Sequence, residues 1–150
     1  MKIRQITAAD DLTRITDQIN RCAWDEDNEI SEYDANSLAS YLERQDTVFV
    51  VCWEDEAEQV LLGMASSRIE IKPYAGERWL YVDEVDVSAA HRRKGAGKQI
   101  MQFLIDFAED NNCEEVWLGT EADNEPAKAL YRSLDPDDVA DVVGFTWETD

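Results

Sequence analysis

Residues 79–87 read Trp-Leu-Tyr-Val-Asp-Glu-Val-Asp-Val and run into Ser88-Ala89-Ala90, then His91-Arg92-Arg93-Lys94-Gly95-Ala96-Gly97-Lys98. The first part is β-branched and aromatic and predicts a strand over Trp79–Val87. The basic, glycine-containing part opens a predicted helix over Gln99–Asn111, where Ile100, Phe103, Leu104 and Phe107 form an apolar stripe. A short apolar strand, Glu115–Thr120, follows. Strand, turn, helix and strand in that order require a parallel, right-handed crossover.

Upstream, Lys2–Thr7 alternates apolar and polar residues and predicts a first strand. Thr7, with Asp10 three residues on, resembles the N-cap of a helix carrying Leu12, Ile15 and Ile19. The acidic, aperiodic Trp24–Glu32 reads as a loop, and Asp34–Arg44 spaces Leu38, Tyr41 and Leu42 as a helix does. Thr47–Trp53 and Val60–Ile71 predict strands joined by a hairpin loop at Glu54–Gln59, with Lys72–Arg78 as the next connection. Downstream, Asn124–Leu134 predicts a helix with Pro126 in its first turn, Asp135–Asp138 a turn, and Val139–Trp147 terminal strand material. The sum is an α/β chain: a mixed, mostly antiparallel sheet with about four helices, in one domain over residues 1–150.

Composition narrows the function classes. The chain has 150 residues, a hydrophobic fraction of 44% and a formal charge of −20, from 34 acidic and 14 basic residues. Such a surface repels nucleic acid and anionic membranes and favours cationic small partners. Adaptation to high salt would produce the same acidity, so charge alone leaves the substrate open. No apolar run reaches 18 residues and no hydrophobic leader core follows Met1, so a cytoplasmic location is expected. Cys22, Cys52 and Cys113 are widely spaced and suit free, buried or half-buried thiols. With His91 as the single histidine, neither a metal site nor a Ser/His or Cys/His catalytic arrangement is expected.

Against that acidity, Arg92–Lys98 puts four basic residues in seven positions. Its two glycines permit close backbone approach, and the following helix aims N–H groups into the same space. These are the parts of a pyrophosphate cradle, although a solvated basic turn is the alternative. Neither G-x-x-x-x-G-K-[ST] nor G-x-G-x-x-G is present.

Arg92-x-x-Gly95-x-Gly97, placed after Glu84-Val85-Asp86-Val87, resembles the acetyl-CoA signature of the GNAT acetyltransferases. Asn124-x-x-Ala127-x-x-Leu130-Tyr131 resembles the family's later segment, and the similarity covers nearly the whole chain. It implies a sheet whose parallel strands Trp79–Val87 and Glu115–Thr120 splay apart. Pantetheine would enter the gap beside the backbone of Val85, Asp86 and Val87. Pyrophosphate would rest on Arg92, Arg93, Lys94, Gly95, Ala96, Gly97 and Lys98, with Asn124, Ala127 and Tyr131 completing the coenzyme site. By the same resemblance Glu84 is the candidate base and Tyr131 the candidate acid for the leaving thiolate. The alternatives are a carboxylate that only orients the amine and a core tyrosine. Alternation puts Glu84 and Asp86 on one face of the strand and Asp83 on the other.

Within the family the chain is most similar to the aminoglycoside 3-N-acetyltransferases, which implies antibiotic modification. Asp135 stands where those relatives usually carry glycine, which puts the following turn in doubt. A polycationic acceptor needs several carboxylates: Glu84, Asp86, Glu121, Asp123 and Glu125, with Glu26, Asp27 and Glu29 closing the cleft and Glu148 and Asp150 adding to it. A polyamine, an amino acid, a protein lysine or a non-catalytic coenzyme-binding role remain as alternatives. Phe145 and Trp147 could support a homodimer or pack on the chain's own sheet.

Overall fold

The computed structural model describes residues 1–24, 30–92 and 94–150. The chain divides into two compact units, Met1–Leu118 and Gly119–Asp150. The first holds β1 (Lys2–Ile6), α1 (Leu12–Arg21), α2 (Ala35–Glu43), β2 (Thr47–Trp53), β3 (Leu61–Ile71), β4 (Arg78–Val87), α3 (Ala96–Asp110) and β5 (Glu115–Leu118). The second holds α4 (Glu125–Arg132). One sheet runs β1-β2-β3-β4-β5, antiparallel throughout except for the parallel β4–β5 pair. The expected mixed α/β architecture with four helices is therefore present.

The sheet of the first unit has two faces. On one, Ile15, Ile19 and Leu38 from α1 and α2 cluster with Ile6, Phe49, Val51, Trp53, Leu61 and Met64. On the other, Ile100, Met101, Leu104 and Ala108 of α3 are buried, as are Leu80 and Val82 of β4. Gly63 lies under α3, where a Cβ would stand 2.8 Å from the Asp86 carbonyl oxygen and 2.9 Å from Ile100 Cδ1. A methyl group there would have to displace backbone, so glycine sets how closely the helix packs.

Several boundaries differ from the expected ones for local reasons. Asp10 does not join a helix at Thr7; its carboxylate turns back to accept from the Thr7 amide and from Arg4. The resulting turn delays α1, and Asp11 becomes its N-cap by accepting from the Arg14 amide. Helix α3 begins at Ala96, inside the glycine loop, instead of at Gln99. Asp135 has φ 53, the left-handed conformation that glycine adopts freely and aspartate tolerates, so a glycine-type conformation is kept without the glycine. The strand expected at Val139–Trp147 does not form: the segment has no regular structure, and Phe145 and Trp147 are 76% and 80% exposed. β-propensity becomes a strand only where a neighbouring backbone takes up the N–H and C=O groups, and no ladder includes this segment. The three cysteines are free, Cys52 buried and the other two half-buried. No helix among the described residues is long and apolar enough to cross a membrane.

Gly63→Ala should lower stability by about 1–3 kcal/mol through overpacking against α3. Urea denaturation monitored by tryptophan fluorescence measures it, and an unchanged midpoint would contradict the packing assigned to Gly63.

Candidate active site

The β3–β4 register slips by one residue in the middle of the ladder: Ser66 faces Glu84, but Ser67 faces Val82. Asp83 is the extra residue of a β-bulge. A bulge breaks the strict two-residue alternation and re-aims side chains. Asp83 consequently joins Glu84 in lining one cavity instead of pointing to the opposite face. The simple alternation expected from the sequence is corrected here.

That cavity has a volume of about 390 Å3 and lies on the α2 side of the sheet, walled by Tyr33, Leu38, Tyr41 and Phe49. Its carboxylates are Glu32, Asp34, Asp83 and Glu84. Asp34 is occupied in capping α2, accepting from the Ser37 amide at 2.8 Å and the Ser37 hydroxyl at 2.7 Å. Asp83 is ion-paired with Arg68. Glu32 and Glu84 make no hydrogen bond or ion pair among the described residues, which leaves them as the acids to meet an incoming cation. Tyr41 is fixed by donating its hydroxyl to the Ser67 carbonyl at 2.8 Å and packs edge-on against Phe49.

Asp86 lies two residues beyond Glu84 and is only 7% exposed. Burial, and then the Glu84 charge, push its carboxyl up to about 6. Burial, followed by the charges of Glu84 and Asp86, likewise raises the Tyr33 phenol to about 12. Burial and the Asp83 charge do the same for Tyr41. Both phenols therefore stay protonated near neutrality as hydrogen-bond donors.

On the far edge of β4 the pairing with β5 ends at Val82–Leu118, whereas the pairing with β3 continues to Val87. Asp83–Val87 thus has a strand partner on one side only. Asn-type or Asp-type caps start α1, α2 and α4, at Asp11, Asp34 and Asn124. Helix α3 instead starts from Gly95 at φ 83, and no side chain caps it. Its first-turn amides are left to other acceptors, as an anion cradle requires. Ala96 and Gly97 are buried there, while Arg92, Lys94 and Lys98 are exposed. Lys94 reaches Glu54 only at 3.9 Å. The open β4 edge, the uncapped helix and the flanking cations fit a ligand with an amide-bearing arm and a diphosphate.

The other expected site residues have different surroundings. Arg93, Glu26, Asp27 and Glu29 lie outside the described residues. Glu121, Asp123, Asn124, Glu125, Ala127 and Tyr131 belong to the second unit. There the Asn124 side chain accepts from the Ala127 amide at 3.1 Å, so the Asn-x-x-Ala spacing is also that of a helix cap. Glu125 pairs with Lys128 at 3.2 Å. Glu148 and Asp150 lie in the irregular terminal segment. Sequence reasoning missed Glu32, Tyr33, Asp34, Tyr41 and Asp83 as cavity residues. The doubled acid Asp83-Glu84 opposite Ser66-Ser67 was a signal, but it acquires meaning only through register. No group of three metal-ligating side chains is assembled among the described residues.

Residues 10–135 match the model of the Acetyltransferase (GNAT) family. Human N-acetyltransferase 8 is 32% identical over 95 residues, 63% of this chain and 40% of its own length. Streptothricin acetyltransferase of Streptomyces lavendulae is 33% identical over 55 residues, 37% of this chain and 29% of its own. The chain thus spans well under half the length of these curated relatives. An aminoglycoside acetyltransferase from an uncultured soil metagenomic sample, solved with sisomicin, superposes with a TM-score of 0.84. It is 21% identical, with 99% of this chain and 96% of that one covered, a likeness of fold.

The sign of the Asp86 effect on stability follows from its shift. The folded chain holds this proton more firmly than an unfolded chain, whose carboxyl titrates near 3.8. The contribution is most favourable below pH 4 and is lost as pH rises through about 6. Asp86→Asn should therefore lose less stability than the parent between pH 4 and 7, by on the order of 2–3 kcal/mol. Urea titrations of both proteins at the two pH values measure the difference, and parallel losses would refute it.

Proposed function

Since this chain belongs to the Acetyltransferase (GNAT) family, we propose that it transfers an acetyl group from acetyl-CoA to a primary amine of a cationic small molecule. The observation that carries this reading is the Asp83–Val87 segment. It is open along one edge, lies beside the acidic cavity through Asp83 and Glu84, and leads through residues 88–95 to the uncapped start of α3. The coenzyme supplies an activated thioester when bound. Backbone groups of Val85, Asp86 and Val87 would align its arm, and the loop Arg92–Lys98 would hold its phosphates.

The acceptor's positive charge accounts for an acid-lined cavity in a way that a neutral amine does not. Glu84 takes the proton that the nucleophilic nitrogen must lose, and nearby Asp86, with its raised proton affinity, is the second site able to share it. Tyr131 keeps the role carried by its family motif, returning a proton to the departing sulfur. Tyr33 donates a hydrogen bond to an oxygen of the acceptor, and Tyr41, whose proton goes to the Ser67 carbonyl, offers its hydroxyl lone pair to an ammonium group. Within this class we assign an aminoglycoside, modified at a 3-amino group. Support comes from the carboxylate lining, from the fold shared with an enzyme solved with sisomicin, and from the partial relative named for streptothricin.

Free-thiol release from acetyl-CoA with sisomicin, spermidine, an amino acid and a lysine peptide tests the assignment. Turnover of sisomicin is expected; turnover confined to another amine would end the aminoglycoside reading. Glu84→Gln and Tyr131→Phe should each lower kcat by about 10²–10⁴, the usual range for one general acid or base. The parent's kcat/KM should rise through a limb near pH 6, where Asp86 titrates. In Gly95→Val, a left-handed φ becomes costly by roughly 1–2 kcal/mol. It should raise KM for acetyl-CoA more than KM for the amine, and the reverse order would remove the loop from the coenzyme site.

A further inference from the structure

We infer that Trp117, backed by Tyr81 and Trp79 and linked through Arg68 to the acidic cavity, forms a stacking subsite for a saturated ring of the acceptor, selecting ring-bearing polyamines over linear ones. This rests on the cavity being the acceptor site. The rings of Trp79 and Tyr81 are stacked at 6.0 Å, and those of Tyr81 and Trp117 are tilted at 5.7 Å, so the three form a continuous ledge across β4 and β5. Tyr81 and Trp117 are direct partners in the parallel ladder, which fixes them side by side.

Three observations separate this ledge from ordinary core. None of its rings belongs to the apolar cluster under α1 and α2. Its outer ring, Trp117, is 40% exposed on a strand whose neighbours Val116 and Leu118 are half-buried. It is also linked to the cavity: the Arg68 guanidinium lies 5.1 Å over Tyr81 and is ion-paired with Asp83, a cavity residue.

The chemistry of the ledge suits an amino sugar. Ring faces carry negative charge density and attract ammonium groups and the polarised C–H face of a saturated ring. Lys72 already exploits this, with its Nζ 4.2 Å from the Trp79 centroid and 4.8 Å from that of Tyr81, donating to the Tyr81 hydroxyl at 2.7 Å. The Trp117 face is left to a ligand. Lys72 and Arg68 add two positive charges, but Glu70, Asp83, Glu84 and Glu115 on the same side outnumber them. Glu70 and Glu115 are both paired with Trp79 in the two ladders. A cation therefore still meets a net negative surface. Three residues of strand separate Tyr81 from Glu84, about 10 Å, so a ligand reaching both spans two linked six-membered rings. A linear polyamine satisfies the acids but leaves the ledge uncovered.

The test uses Trp117→Ala and Trp117→Phe, with sisomicin and spermidine as acceptors, and calorimetric titration of each amine alongside turnover. Trp117→Ala should lower the sisomicin-to-spermidine ratio of kcat/KM about three- to tenfold, through KM, and Trp117→Phe should restore most of it. Equal losses on both amines, or an unchanged ratio, would overturn the subsite. If neither amine is acetylated, the acceptor reading fails separately and calorimetry judges the ledge. Sisomicin binding that weakens in Trp117→Ala and recovers in Trp117→Phe supports it, and binding that ignores both variants, or no binding, overturns it.

Discussion

The bulge at Asp83 is the constraint on which the rest of the first unit's site depends. By placing one extra residue opposite the Ser66–Ser67 peptide, it lets β4 serve two purposes along its length. Below the bulge, Leu80 and Val82 face α3, while Trp79 and Tyr81 face the other side. Above it, Asp83 and Glu84 both open on the α2 side, and Asp86 follows them into a buried position. A regular strand would have divided these acids between two faces and put a carboxylate among the apolar side chains under α3. The local cost of one unpaired residue is offset by keeping that charge out of the apolar layer.

Charge is organised on the same principle. With a net charge of −20, an acidic surface by itself means little, because carboxylates are everywhere. What differs between them is engagement. Asp34 caps a helix, Asp83 is paired, and Asp86 is buried with its proton held up to about 6, whereas Glu84 lines the cavity with neither cap nor salt bridge. The basic loop at the start of α3 is the counterpart: cations and uncapped amides gathered where an otherwise anionic protein would repel a diphosphate.

Much of this was legible in the sequence. Strand β2 falls at Thr47–Trp53 as its composition predicts, and α2 begins after Asp34 because a carboxylate there can accept from the Ser37 amide. The glycine loop and the later Asn124–Tyr131 segment together resemble the family's motifs, and residues 10–135 match the family's model. What misled was local resemblance without a partner. Thr7 and Asp10 look like a helix cap, but Arg4 on the neighbouring strand competes for the carboxylate. Val139–Trp147 looks like a strand, but strand formation needs a ladder that this segment does not have.

The sequence by itself determined the order of elements from β1 to α4 and the parallel crossover, because these follow from periodicity and the handedness of short connections, and it marked the glycine loop as a candidate for holding the coenzyme. Tertiary structure decided which carboxylates share a cavity. Asp83 is turned toward Glu84 by a register slip, Glu32 and Asp34 arrive from a segment about fifty residues away, and Glu121 and Asp123 belong to a different unit. Register and long-range packing depend on contacts between residues distant in the chain, and no local pattern encodes them.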